Sequence, residues 1–182
     1  MPVLLIVDFQ NDFCPGGSLG VEGADTIVPR VNELMERFSL VIASKDWHPT
    51  ETVHFEKWPP HCIQDTEGAD FHPDLNTEKI DQIFLKGMGN KDDGYSAFEA
   101  TNVNLAEYLK NKNCKQLFIC GLTTEYCVRF TALDAVDLGY KTHVYTDAIA
   151  AVNKAPGDGD KAIEEMKNKG IKMMRSEAVS AE

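Results

Sequence analysis

Short apolar runs alternate with amphipathic stretches along the whole chain, and this alternation restricts the fold more than any other feature. Residues 3–7 (Val-Leu-Leu-Ile-Val) carry no polar interruption, as expected of a strand covered on both faces. Further candidate strands, some with polar interruptions, occupy residues 40–44, 80–85, 116–120, 141–146 and 171–174. Between them the apolar spacing becomes helical. Ile27, Val31, Leu34, Met35 and Phe38 form one stripe, with Pro29 in the tolerated first turn. Residues 105–112 read as a second helix capped by Asn102 or Asn104, and residues 125–138 as a third closed by Gly139. A fourth covers residues 160–168. Strands alternating with helices predict an α/β protein with a six-stranded parallel sheet flanked by helices on both faces.

A chain of 182 residues, 43% hydrophobic and 26% charged, suits one globular, soluble domain spanning residues 1–182. Its net charge of −11, without a basic cluster, argues against nucleic acid or an anionic membrane as partner. The first apolar run is too short to span a bilayer and lacks a basic flank, so it reads as a strand, not a signal peptide. Five irregularly spaced cysteines point to reduced thiols in a cytoplasmic setting. A small-molecule substrate is then the expected partner. Self-association into a homo-oligomer is left open.

Two connections, residues 47–79 and 87–101, are too long for mere linkage, and their aromatics and prolines argue against disorder. In open parallel sheets ligands sit at the carboxyl ends of the strands. Asp8, Asp46, Lys86 and the stretch from Gly121 to Cys127 all stand at such ends.

The first long loop is rich in metal-ligand chemistry. Asp46-Trp47-His48, then His54, then Trp58-Pro59-Pro60-His61 gather one carboxylate and three of the five histidines. Imidazole with carboxylate suits zinc, iron or manganese, and the absence of any Cys-x-x-Cys pair excludes a zinc finger. Asp46 and His48 would project the same way from a strand end, and the prolines would direct His61. An ordinary polar surface loop is the plain alternative, which the density of ligand types disfavours.

Cys127 lies in a strand-to-helix turn, where free backbone N–H groups favour an anion and can lower a thiol's pKa. The commonest fate of a free cysteine is simply to be buried. Cys120 lies within an apolar run, Cys114 in a polar connection, and Cys14 and Cys62 in loops with no helix behind them. Cys127 is therefore the candidate nucleophile. No histidine follows a strand end where it would serve as base, which leaves a carboxylate, Asp8, with Lys86 as the cation beside both. Alone, Asp8 reads as a turn cap and Lys86 as a solvated strand end. Together with Cys127 they read as a triad.

The ordered motifs Asp8-Phe9-Gln10-Asn11-Asp12-Phe13-Cys14, Asp46-Trp47-His48, Trp58-Pro59-Pro60-His61-Cys62, Lys86-Gly87 and Thr123-Thr124-Glu125-Tyr126-Cys127-Val128 resemble those of nicotinamidases. These are the metal-dependent branch of the isochorismatase-like cysteine hydrolases. The resemblance covers nearly the whole chain and implies a Rossmann-like three-layer fold. It implies hydrolysis of nicotinamide to nicotinate and ammonia through a thioester, in NAD salvage, with pyrazinamide as an expected second substrate. It assigns Asp8, Lys86 and Cys127 as catalytic residues, and Asp46, His48, His54 and His61 as ligands of one divalent ion, zinc before iron or manganese. Glu51, Glu56 and His72 compete with His54. The resemblance further implies a cis peptide at Leu122–Thr123 and an oxyanion hole from the N–H groups of Thr123 and Cys127. Phe13, Trp58, Tyr95 and Leu122 would hold the ring. Thr123-Thr124-Glu125 stands where the family often has Ala-Thr-Asp.

Three other readings compete: a carbamoyl or ureido amidohydrolase of the same superfamily, a metal-binding module without catalysis, and a metal hydrolase using activated water. The first generally lacks the metal ligands, so Asp46, His48 and His61 count against it.

Overall fold

In the computed structural model, which describes residues 1–178, strand β1 (Pro2–Val7) is buried from Val3 onward. The remaining strands are β2 (Val41–Asp46), β3 (Gln82–Lys86), β4 (Gln116–Leu122), β5 (Lys141–Ala150) and β6 (Lys172–Met174). They form one six-stranded parallel sheet in the order β3-β2-β1-β4-β5-β6. The helices are α1 (Val28–Met35), α2 (Leu105–Asn111), α3 (Arg129–Asp137) and α4 (Asp158–Asn168). Residues 179–182 of the expected domain lie outside the described residues.

Alternate side chains of β1 feed two cores. Leu4 and Ile6 pack with Val31, Leu34 and Met35 of α1. Val3, Leu5 and Val7 pack with Leu105 and Leu109 of α2, Ala132 and Ala135 of α3, and Met166 of α4. A strand serving both faces has no polar side to spare, which explains its unbroken apolar run. The expected three-layer α/β architecture is what forms. Among the described residues no helix is long and apolar enough to cross a membrane.

Several boundaries differ from expectation. The third strand begins at Gln82, because Thr77–Lys79 forms a 3-10 turn, and it ends on Lys86 itself. Asp46 is likewise the last residue of β2, not the first beyond it. Strand β5 continues to Ala150, across a register shift against β4 between Ile119 and Gly121. The expected helix from residue 125 opens as a π-helical turn, Thr124–Val128, before α3 begins. Both long connections are ordered by 3-10 turns, at Val53–Glu56, Glu67–Ala69 and Thr77–Lys79 in the first and Ala97–Glu99 in the second.

Register sets the functional edge. Val7 pairs with Ser44 on one side and Gly121 on the other, and Asp46 pairs with Lys86. The strand order reverses between β1 and β4, so the switch point of the sheet lies beside Asp8. Gly121, at φ 113°, is needed there because a Cβ would stand 2.1 Å from the Val7 carbonyl oxygen.

On β5, His143 is buried, with its ring 4.3 Å from that of Phe118 and neither ring nitrogen hydrogen-bonded. Burial, and then Lys141 and Lys172, push its pKa below the ordinary 6.5. The unfolded chain therefore binds the proton first as pH falls, and the stability held above 6.5 is lost between that value and the depressed folded pKa. His143→Phe should flatten the decline in denaturation midpoint between neutral and mildly acid pH. Equal declines in both proteins would refute this origin.

Candidate active site

Asp8 follows β1 directly, in a left-handed conformation at φ 46°, fully buried. Its backbone N–H donates to the Ser44 carbonyl at 3.1 Å, and the Ser44 hydroxyl donates to its Oδ1 at 2.7 Å. Lys86 Nζ forms an ion pair 2.7 Å from the other oxygen, Oδ2, at an angle that does not make a hydrogen bond. The same ammonium donates to Asp46 Oδ1 and to the Gly94 carbonyl, and lies 3.5 Å from Cys127 Sγ. Carboxylate oxygens of Asp8 and Asp46 and the Cys127 sulfur all lie within 4.8 Å of one another. One buried cation thus sits among two carboxylates and a thiol.

Burial alone would lower the Lys86 pKa, but Asp46 and Asp8 hold it well above its ordinary value. Burial pushes the Asp8 carboxyl up, against the opposing pull of Lys86. Burial likewise pushes the Cys127 thiol well up although Lys86 opposes it. The resting sulfur is thus a thiol beside a carboxylate of increased basicity, an arrangement for proton transfer on demand. Cys14, Cys62, Cys114 and Cys120 are also buried and pushed up by burial, including the two expected in open loops and the one in a polar connection. Cys127 differs in lining the cavity that also holds Asp46, His54 and His61, and in lying beside the Lys86 ammonium.

His48, His54 and His61 converge, with ligand nitrogens within 4.8 Å of one another. Each offers its Nδ1 to an oxygen that can only accept. His48 Nδ1 lies 3.0 Å from the Gly87 carbonyl, His54 Nδ1 3.0 Å from Asp92 Oδ1, and His61 Nδ1 2.8 Å from the Pro59 carbonyl. In the neutral rings Nδ1 therefore carries the hydrogen, leaving three Nε2 lone pairs. Nε2 of His48 is buried without a hydrogen-bond partner. Asp46 Oδ2 faces the group, 3.5 Å from His48 Nε2 and 3.6 Å from His61 Nε2. Burial would raise the Asp46 pKa, but Lys86 and these histidines hold it well below the usual carboxylate range. Three oriented imidazoles and an ionised carboxylate fit a divalent cation. Of the competing ligands, Glu51 and Glu56 are exposed, and His72 packs edge-on against Phe9 instead.

Gly87, at φ 69°, permits the close approach of His48. A Cβ there would stand 2.4 Å from His48 Cε1.

Above these groups lies a cavity of about 340 Å³ whose lining includes Phe13, Trp58, Tyr95, Tyr126 and Cys127. The Trp58 indole donates to the Tyr95 hydroxyl at 3.0 Å, which donates to Asp92 Oδ1 at 2.8 Å. Lys57 also pairs with Asp92, and with Tyr95 holds its carboxyl at about 2. Leu122 does not face this space; it is fully buried in the core, and the lining begins at Thr123 beyond the cis peptide Leu122–Thr123.

The sequence assigned no supporting role to Gln10, Asp92 or Glu125. The Gln10 amide clamps the Asp46 backbone, donating to its carbonyl at 2.7 Å and accepting from its N–H at 2.8 Å. Gln10 follows Asp8 by two residues, which was the available signal. Asp92 orients His54 from the second long loop, and nothing local in the sequence marks it. Glu125, buried, accepts from the N–H groups of Val152 at 3.1 Å and Asn153 at 2.6 Å, tying the turn of Cys127 to the segment after β5.

The chain matches the isochorismatase domain over residues 2–178. It is 39% identical to the nicotinamidase of Escherichia coli (strain K12), over 92% of this chain and 91% of that protein. The pyrazinamidase of Pyrococcus horikoshii in complex with zinc superposes with a TM-score of 0.87 at 41% identity, covering 96% of this chain and 98% of that one. PnC1 from L. infantum in complex with nicotinate gives a TM-score of 0.93 at 35% identity, covering 100% of this chain and 96% of that one. With its parallel sheet, converging site residues and these likenesses, the chain belongs to the isochorismatase-domain family, within its nicotinamidase group.

Proposed function

We propose that this protein is a metal-dependent cysteine amidohydrolase that converts nicotinamide to nicotinate and ammonia. The observation that carries the reading is the Asp8–Lys86–Cys127 cluster joined to the histidine group through one carboxylate, Asp46, beneath an aromatic cavity. The nicotinamidase relatives support the choice of substrate. Pyrazinamide, with a similar flat ring, is the second substrate expected.

Asp8 takes the proton from Cys127, and the sulfur attacks the amide carbon. The developing oxyanion is received by the N–H groups of Thr123 and Cys127, where losing one donor typically costs about 10²–10³ in rate. Protonated Asp8 returns its proton to the nitrogen as the C–N bond breaks, and ammonia leaves. Asp8 then deprotonates a water that attacks the thioester, releasing nicotinate and restoring the thiol. Lys86 keeps its charge throughout and stabilises whichever of Asp8 and Cys127 is anionic. Asp46, His48, His54 and His61 would hold the divalent ion, zinc first. When bound, it supplies a Lewis-acid anchor for the ring nitrogen and so orients the substrate. Phe13, Trp58 and Tyr95 enclose the flat ring. A single domain acting in the cytoplasm fits the reduced thiols and this salvage chemistry.

Ammonia release from nicotinamide by purified, metal-replete protein tests the reading. Activity should be lost after chelation and, separately, after iodoacetamide treatment. His48→Ala should lower the bound metal measured by elemental analysis; unchanged metal content would refute its ligand role. No ammonia from the untreated protein would overturn the assignment of nicotinamide.

A further inference from the structure

Lys154 stands at the edge of the cavity, its ammonium 3.7 Å from the centre of the Trp58 ring and 5.9 Å from that of Tyr126. Among the described residues lining the cavity it is the one lysine or arginine. Lys86, deeper in, is fully buried and already committed to Asp8, Asp46 and Gly94. The position of Lys154 is built from the fold. The buried Glu125 carboxylate clamps the N–H groups of Val152 and Asn153. Asn153, at φ 51°, accepts the Gly159 N–H at 2.8 Å on its side-chain oxygen. These bonds hold the segment that delivers the next residue over the indole.

The two ends of the proposed reaction differ in charge. The amide is neutral and the acid product is a carboxylate at neutral pH. A protein of net charge −11 repels a departing anion on balance, so a lysine on the wall of the cavity stands out against that background. We propose that Lys154 makes the site charge-selective, holding the ring carboxylate more tightly relative to the neutral ring amide than the cavity otherwise would. It thereby sets the strength of product inhibition. This rests on the nicotinamidase reading above. A cation and an anion sharing a partly solvated cavity attract enough to change affinity roughly three- to tenfold, weakening as salt shortens the roughly 8 Å Debye length.

The test uses Cys127→Ala, which leaves nicotinamide intact, and follows tryptophan fluorescence as metal-loaded protein is titrated with nicotinate or nicotinamide. The readout is the ratio of the two dissociation constants. Adding Lys154→Met should shift this ratio three- to tenfold against nicotinate and weaken its dependence on ionic strength, and Lys154→Arg should restore both. A ratio unmoved by Lys154→Met, or an arginine variant that behaves like methionine, would overturn the proposal and reduce Lys154 to packing on Trp58. Binding of neither ligand would instead overturn the nicotinamidase reading beneath it.

Discussion

Cys127→Ala should abolish ammonia release, a loss of roughly 10⁴-fold or more, as removal of a covalent nucleophile typically produces. The sulfur borders the cavity, stands 3.5 Å from the Lys86 ammonium and lies within 4.8 Å of carboxylate oxygens of Asp8 and Asp46. No other cysteine combines these contacts. Neither the histidine nitrogens nor Asp46 depends on this sulfur for position, so bound metal should stay at the wild-type level. Elemental analysis alongside the rate separates loss of the nucleophile from loss of the centre. Substantial turnover in the variant would mean that water attacks directly and that Cys127 is merely packed.

Lys86→Met should destabilise the fold by about 3–5 kcal/mol as well as inactivate it, because it leaves the buried Asp8 carboxylate without its counter-charge. Lys86 and Asp8 are fully buried, and Asp46 is 4% exposed, so water cannot replace the lost ammonium. Methionine keeps most of the volume, which isolates the electrostatic effect from cavity formation. The denaturant midpoint of metal-loaded protein measures the loss. Adding Asp8→Asn to Lys86→Met should recover part of it, since one stranded charge is then removed. A destabilisation below about 1 kcal/mol would show that the cluster is electrostatically slack.

Most of this organisation is local information and was legible. Apolar runs such as residues 3–7 announce buried strands, and strand ends announce the site because parallel sheets gather them on one edge. Asp8, Asp46, Lys86 and Cys127 are singled out that way and the three histidines by their density in one loop, and the structure brings each group together. What escaped depends on contacts between distant segments. Asp92 reaches His54 across 38 positions, and Gln10 reaches Asp46 across 36. The burial of Leu122 follows from a strand that runs two residues further than its apolar run indicated. The π-helical turn at Thr124–Val128 has the same apolar spacing as an ordinary first turn. Spacing alone does not separate the two.

The pairings of Val7 with Ser44 and Gly121, and of Asp46 with Lys86, make the reacting groups a measure of strand alignment. Sliding one strand past its neighbour by a single position would turn its side chains to the opposite face and scatter the cluster. Residues 8, 46, 86 and 127 come from four separate stretches of chain, so, unlike the histidines of residues 48–61, the reacting groups come together only when all four strands are aligned. Recovery of turnover after denaturation is therefore a clock for the last strand to align, and a compact chain with full helical content but shifted pairing would remain silent.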